Sequence, residues 1–177
     1  KMKDFAHWVF GKVIGVINAG VKGAFENLSN NENCSIGVMA TEGTVLSNGY
    51  PNTIDKYHSD LNYKGEIKTF QQAGIGLAGA IDGVIDYINT QTTGIRKEYK
   101  GPSLTSKEAQ IDKSILNRYN FNWSKNHILY SGEKNNPTEI QINSIENYIY
   151  YNVVSLLEQL KKAQTIKPLK TIILGCT

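Results

Sequence analysis

The stretch "CSIGVMATEGTVL", residues 34–46, joins two different local patterns. Its first seven residues, Cys34–Ala40, are apolar or small and include β-branched side chains, which is typical of a buried strand. From about Glu42 the chain can form a helix, with an interruption expected before Pro51. A buried strand that leads directly into a helix is the repeating unit of α/β domains.

The same alternation continues on both sides of this stretch. Three more segments predict buried strands: "KVIGVI" at 12–17, "EIKTFQQ" at 66–72 and "LKTIILG" at 169–175. Helices are predicted before and between them, at 2–9, at 21–28, from about Glu42 and at 74–88. Strands that alternate with helices favour an α/β class with a mostly parallel sheet flanked by helices.

Residues 89–137 depart from this alternation and are rich in Lys, Asn, Ser and Thr. The Thr105 to Glu108 spacing matches a capping box and predicts one helix inside this polar excursion. A second box, Thr138 to Gln141, predicts the start of the last helix. The apolar stripe of that helix would consist of Ile145, Ile149, Val153, Leu156, Leu157 and Leu160. We therefore predict a single α/β domain over 1–177 with a polar insertion at about 89–137.

Composition excludes several classes of function. The 19 basic and 16 acidic residues are interspersed and give a net charge of +3. The sequence therefore lacks the dense basic patch that is typical of a nucleic-acid binder. No apolar run approaches the ~20 residues that span a membrane. The two cysteines do not make a disulfide framework, and neither has a partner at metal-ligand spacing. These features predict a reducing, cytoplasmic setting without nucleic-acid, membrane or metal partners.

Ligands of open α/β sheets bind beyond the carboxyl ends of the strands. Thr41 and Thr44 follow the second predicted strand, and their hydroxyls together with free backbone N–H groups could hold a carboxylate. The alternative is that one threonine simply caps a helix. The string "GIGLAG" at 74–79 matches GxGxxG, but no clear acidic partner follows about twenty residues later in a strand, which disfavours dinucleotide binding.

Cys176 follows the last predicted strand, between Gly175 and Thr177. A thiol at this place can lie near helix N-termini, which lower its pKa and raise the thiolate fraction. The alternative is that Cys176 only fills space, as buried cysteines often do, and we assign that packing role to Cys34.

Three segments together resemble the glutamate racemase branch of the aspartate/glutamate racemase family. "VIGVINAG" at 13–20 is similar to the family's V-I-G-V-I-x-P-G, and "IGVMATEGTVLSNGYP" at 36–51 is similar to I-G-V-x-x-T-x-x-T-V-x-S-x-x-Y. "IILGCT" at 172–177 matches the beginning of the block L-G-C-T-H-Y/F-P. The segments occur in the family's order, and the resemblance implies a flavodoxin-like domain of three layers.

The resemblance implies a cofactor-independent inversion at the α-carbon of a small amino-acid substrate. Two cysteines on opposite faces remove and deliver the α-proton, and Cys176 matches one of them. Thr41, Thr44 and Thr177 would bind the substrate carboxylates. Asp82 falls where the family often has a glutamate near the amine or the catalytic base, although its surroundings depart from the usual C-P-x-x-V-P-x-x-E. The family's product, D-glutamate, feeds peptidoglycan synthesis.

Other family blocks do not occur within 1–177. These are the early Asp-Ser, the first Cys-Asn-Thr and the histidine after Cys-Thr, so we expect a fragment of a longer enzyme that is inactive by itself. An aspartate or hydantoin racemase is the enzymatic alternative, and a non-catalytic carboxylate-binding module is the alternative of another class. The excursion at 89–137 could serve as a lid, a contact in a homodimer or an ornament.

Overall fold

The computed structural model describes residues 15–29, 31–124, 126–163 and 167–175. The helices are α1 (Val16–Glu26), α2 (Glu42–Leu46), α3 (Gly49–Asp60), α4 (Leu77–Ile81) and α5 (Ile145–Lys162), with a 3-10 helix at Lys113–Tyr119. The strands are β1 (Cys34–Ala40), β2 (Ile67–Ala73), β3 (Ile128–Glu133), β4 (Asn136–Ile142) and β5 (Leu169–Leu174).

A three-stranded parallel sheet in the order β2-β1-β5 forms the centre of the fold. All seven residues of β1 are buried, because the strand has a neighbour on each edge and helices cover both faces. Ile36 and Val38 face α1 and α3, and Met39 faces α5. The predicted class, an α/β domain with a parallel sheet flanked by helices, is thereby confirmed, and the arrangement is consistent with a flavodoxin-like fold.

The predicted strands at 34–40, 66–72 and 169–175 correspond to β1, β2 and β5. The helix predicted from Glu42 is interrupted as expected, and α3 begins after Asn48, whose φ is +52°. The strand predicted at 12–17 is wrong in its described part, because Val16 and Ile17 belong to α1, which begins earlier than the predicted 21–28. The helix predicted at 2–9 and residues 12–14 lie outside the described residues.

The helix predicted at 74–88 is reduced to the five residues of α4. Gly76 precedes it in the left-handed region, with a φ of +76°, and Gly83 follows it with a φ of +70°. The ring of Tyr87 occupies the space that a Cβ at Gly79 would take. The glycines therefore let the chain fold back so that Tyr87 lies against α4, which a continuous helix would prevent.

A hairpin that sequence analysis missed builds a second core. β3 and β4 pair antiparallel, and Ile140 and Ile142 of β4 are fully buried against the aromatic side chains of Tyr148 and Tyr119. Both predicted capping boxes are wrong. Thr138 and Gln141 lie in β4, and Ser144 caps α5 by accepting a hydrogen bond from Asn147 N. The segment at 105–110 is irregular, and the Thr105 hydroxyl bonds to the Glu139 carboxylate instead.

The predicted apolar stripe of α5 is correct only for Val153, Leu156 and Leu160. Leu156 and Leu160 pack on the sheet, whereas Ile145, Ile149 and Leu157 are exposed. In the first half the buried side chains are Tyr148, Tyr151 and the amides of Asn147 and Asn152. The difference arises because α5 leaves the sheet toward its N-terminus and packs there on the second core.

Within the described ranges, no helix combines the length and apolar character needed to cross a bilayer. The same ranges contain no group of three or more His, Cys, Asp or Glu side chains that could hold a metal ion.

Leu156 should be a major contributor to stability. It is fully buried, and a Cβ built at Gly37 of β1 would lie only 2.8 Å from its Cδ2, so the helix and strand are in close contact there. We expect Leu156→Ala to lower the free energy of unfolding by about 2–5 kcal/mol, measured by denaturant titration. Leu46→Ala is the matched control, because Leu46 is 74% exposed, and it should change stability by less than about 0.5 kcal/mol. Equal effects of the two changes would contradict this packing.

Candidate functional site

A cavity of about 790 Å³ opens at the carboxyl ends of β1 and β2. One wall is formed by Thr41, which follows β1, and by residues 74–79, which follow β2 and include the start of α4. The opposite wall comes from residues 95–108 of the polar excursion, together with Glu139 and Gln141 of β4. The excursion therefore covers the sheet edge at which α/β domains bind ligands.

The structure brings Thr41 and Thr44 together. Their hydroxyl oxygens are 2.9 Å apart, and Thr41 Oγ1 also accepts a 3.4 Å hydrogen bond from Thr44 N as the N-cap of α2. The capping interpretation is thus confirmed for Thr41. Thr41 is also half-buried and lines the cavity, and its role in holding a carboxylate stays a prediction.

The end of β5 lies beside the end of β1. Gly175 N donates a 2.8 Å hydrogen bond to Met39 O. The parallel pairing of β5 with β1 therefore extends to Met39, two residues before Thr41. The Tyr50 ring packs against Gly175, so that no side chain fits at this position. The predicted site residues Cys176 and Thr177 lie outside the described residues.

Asp82 ends α4 and is exposed. It borders a neighbouring apolar groove with Ile81, Ile149 and Leu174, whereas Thr41 borders the cavity described above. Gly74 and Ala78 border both the groove and the cavity, and they therefore lie between them. The structure therefore does not bring Asp82 into the same cavity as Thr41, and its role near the substrate amine stays a prediction.

The cavity lining is rich in charge. Four cationic side chains border it, those of Arg96, Lys97, Lys100 and Lys107, together with three carboxylates, those of Glu42, Glu108 and Glu139. Lys100 pairs with Asp86 at 2.7 Å, which raises the pKa of the lysine, mainly through the hydrogen bond between them. Glu139 accepts hydrogen bonds from Leu104 N, Ile140 N and the Thr105 hydroxyl, so its charge is satisfied within the wall.

Two hydrogen-bonded tyrosines stabilise the wall of the cavity that the excursion forms. The hydroxyls of Tyr99 and Tyr148 are 3.1 Å apart, and Tyr148 donates to Tyr87 O at 3.3 Å. Burial raises the pKa of both phenols well above the ordinary value, so both stay protonated at neutral pH. Their hydroxyl groups link residues 87, 99 and 148 through hydrogen bonds.

Sequence analysis missed Arg96, Tyr99 and Glu139 because no local spacing connects them. Lys97 to Lys100 was visible as a short basic segment beside acidic residues, which is typical of a solvated surface. Only the hairpin at 128–142 brings Glu139 and Gln141 against residues 96 and 104. A strand prediction for 136–142 would have placed the polar side chains of Glu139 and Gln141 beside buried apolar residues and so indicated that they have polar partners.

Cys34 is fully buried at the start of β1. Burial, followed by the nearby Glu32 carboxylate, raises the pKa of its thiol, and a raised pKa opposes thiolate formation. The predicted packing role of Cys34 is confirmed.

Comparison with known proteins finds a partial relative. A stretch of 64 residues is 36% identical to a glutamate racemase of Oceanobacillus iheyensis, and it covers 36% of this chain and 22% of that relative's length. No family model matches the chain, and no solved structure matches it. The similarity suggests a racemase-like role over part of the chain.

The cap at Thr41 can be tested by two substitutions. Thr41→Ala removes the oxygen that accepts from Thr44 N and should lower the free energy of unfolding by about 1 kcal/mol. Thr41→Ser keeps that oxygen and should retain most of the stability. Thermal and denaturant unfolding measure both, and a loss of similar size for serine and alanine would contradict the capping role.

Cys34 should resist alkylation in the native protein. Because its thiol is fully buried and its pKa is raised, we expect iodoacetamide to label it more than about tenfold slower than in denaturant. Peptide mass spectrometry assigns the label to Cys34, and an added model thiol controls for the effect of denaturant on the reagent. Equal rates in both conditions would show that the start of β1 is open to solvent.

Proposed function

We propose that this chain is part of an isomerase that interconverts L- and D-glutamate without a cofactor. The main supporting observation is that Thr41 and the end of β5 lie side by side at the carboxyl edge of the sheet, with a cavity in front of Thr41. The residue after Gly175 in sequence is Cys176. The partial relative, named glutamate racemase, supports the same class of reaction.

In the proposed reaction one thiolate takes the α-proton from one face of glutamate. A carbanion is left at the α-carbon, and a thiol on the other face returns a proton to that carbon with inverted configuration. The first thiol ends protonated and the second ends as a thiolate, so the two exchange roles in the reverse direction. A thiol suits this work because its reference pKa, about 8.5, can be tuned toward neutrality.

We assign Cys176 as one of these two bases. Thr41, Thr44 and Thr177 would hold the substrate carboxylates by donating hydroxyl hydrogen bonds, and Asp82 would act near the substrate amine. Cys34 is unsuited to be the second base because it is fully buried.

The proposed product is D-glutamate, which would supply peptidoglycan synthesis in the cytoplasm and so contribute to cell-wall formation. The polar excursion would enclose the amino acid, because residues 95–108 form the outer wall of the cavity.

The test is exchange of the α-hydrogen of glutamate in D₂O, followed by proton NMR, with the full-length natural polypeptide that contains these 177 residues. We expect exchange with L- and D-glutamate, and a loss of more than about a hundredfold in Cys176→Ser, since a positioned acid–base group contributes this much. Cys34→Ser is the matched control and should retain exchange, because Cys34 is a packing residue.

Undiminished exchange in Cys176→Ser would remove Cys176 from the mechanism. Exchange with aspartate or a hydantoin, but not with glutamate, would assign the chain to one of the related racemases. Binding of glutamate without any exchange would favour a non-catalytic carboxylate-binding module.

A further inference from the structure

Arg96 is a buried cation whose partners are unusual. It is only 6% exposed, although it carries a permanent positive charge. Its guanidinium donates to the main-chain oxygens of Ile85 and, at 3.3 Å, Tyr87. Within the ranges that the structure describes, Arg96 forms no ion pair within 4.0 Å. A buried charge without a counter-ion is costly, so this arrangement calls for an explanation.

The guanidinium keeps donors that the described residues do not use. Arginine has five N–H groups, and the two bonds to Ile85 and Tyr87 occupy one on each terminal nitrogen. Arg96 Nε is buried and finds no hydrogen-bond partner among the described residues. Nε–H and an N–H of a neighbouring terminal nitrogen point in the same direction, which is the fork that binds the two oxygens of a carboxylate or a phosphate.

Arg96 borders the cavity of about 790 Å³, which lies within the size range of small-molecule sites. Three lysines border the cavity with it, and Lys97 and Lys107 are exposed on its rim. Glu139 is engaged by three hydrogen-bond donors, and Glu42 and Glu108 are exposed. Arg96 is therefore the buried cation of the lining, the carboxylate of Glu139 is already occupied by neutral donors, and the carboxylates of Glu42 and Glu108 lie in solvent.

The surroundings hold Arg96 in a fixed position. The Gln141 side chain accepts from Arg96 N at 2.9 Å and donates to Arg96 O at 2.7 Å, as a neighbouring strand would. The guanidinium carbon lies 5.0 Å from the centre of the Tyr99 ring, a cation–π contact. A preorganised arginine loses little freedom when a ligand binds, which favours specific recognition of an anion.

We propose that this cavity binds an organic anion, a carboxylate or a phosphate ester, through the positive charge and the unused N–H groups of the Arg96 guanidinium. Lys97 and Lys107 would attract the anion to the entrance, and Thr41 would face the other end of the ligand. This inference concerns the same cavity as the proposed racemase site and rests on that proposal for the role of Thr41, but its test requires neither Cys176 nor any reaction.

The experiment uses two probes, glutarate and inorganic phosphate, each titrated into the full chain by isothermal calorimetry at constant ionic strength. Arg96→Gln should weaken binding of the preferred probe by at least about tenfold, since hydrogen bonds to a charged group are lost. Arg118→Gln is the matched control. It removes the same charge, but Arg118 pairs with Glu158 away from the cavity, so affinity should change by less than about twofold. Preference for glutarate identifies a carboxylate ligand, and preference for phosphate identifies a phosphate ester.

Two further measurements keep the test decisive if Arg96→Gln fails to fold. Arg96→Lys retains the charge but lacks the fork, so it should bind the probe more weakly than the parent chain. In the unsubstituted protein, NMR should show that the probe shifts the Arg96 Nε–H resonance and the amide resonances of Gly76 and Gly101. The proposal is overturned if neither probe shifts the Arg96 resonance, or if Arg96→Gln and Arg118→Gln weaken binding equally.

Discussion

The structure depends on β1, a strand whose main chain is paired on both edges and covered on both faces. A buried N–H or C=O without a partner costs free energy comparable to a lost hydrogen bond, so β1 can be buried only between β2 and β5. The pairing continues through Gly175 N to Met39 O. The carboxyl ends of the three strands therefore meet at one edge, where Thr41 and the cavity lie.

Amide side chains hold the polar excursion to this edge. Gln141 pairs with both main-chain groups of Arg96, and Asn143 does the same for Asn89, accepting from its N at 2.8 Å and donating to its O at 3.0 Å. Each amide replaces the strand partner that an irregular segment lacks, so the main-chain groups of Arg96 and Asn89 are hydrogen-bonded where they are covered. The outer wall of the cavity, including Arg96, depends on these contacts. Thr41 at the edge of the sheet and Arg96 in the excursion thus border one cavity, although they come from different parts of the fold.

Prediction from sequence succeeded where one local pattern decided the structure. β1 was predicted with its observed bounds because seven consecutive small or apolar residues have no solvated face. Prediction failed at residues 138–141, where a Thr-x-x-Gln spacing suggested a helix cap but the residues form β4. There the cross-strand partners in β3 and the burial of Ile140 outweigh the local spacing, and neither is visible in a short window.

The sequence by itself determined the parallel α/β sheet and the threonine turn at its edge, because both follow from contiguous residues with strong local preferences. It also carried the resemblance through which Cys176 was singled out. The tertiary structure decided that α4 stops at Ile81, that a hairpin builds a second core, and that Arg96 is buried beside the cavity. These features depend on contacts between residues far apart in the chain, such as Arg96 with Gln141, whose energy appears only when the chain is folded.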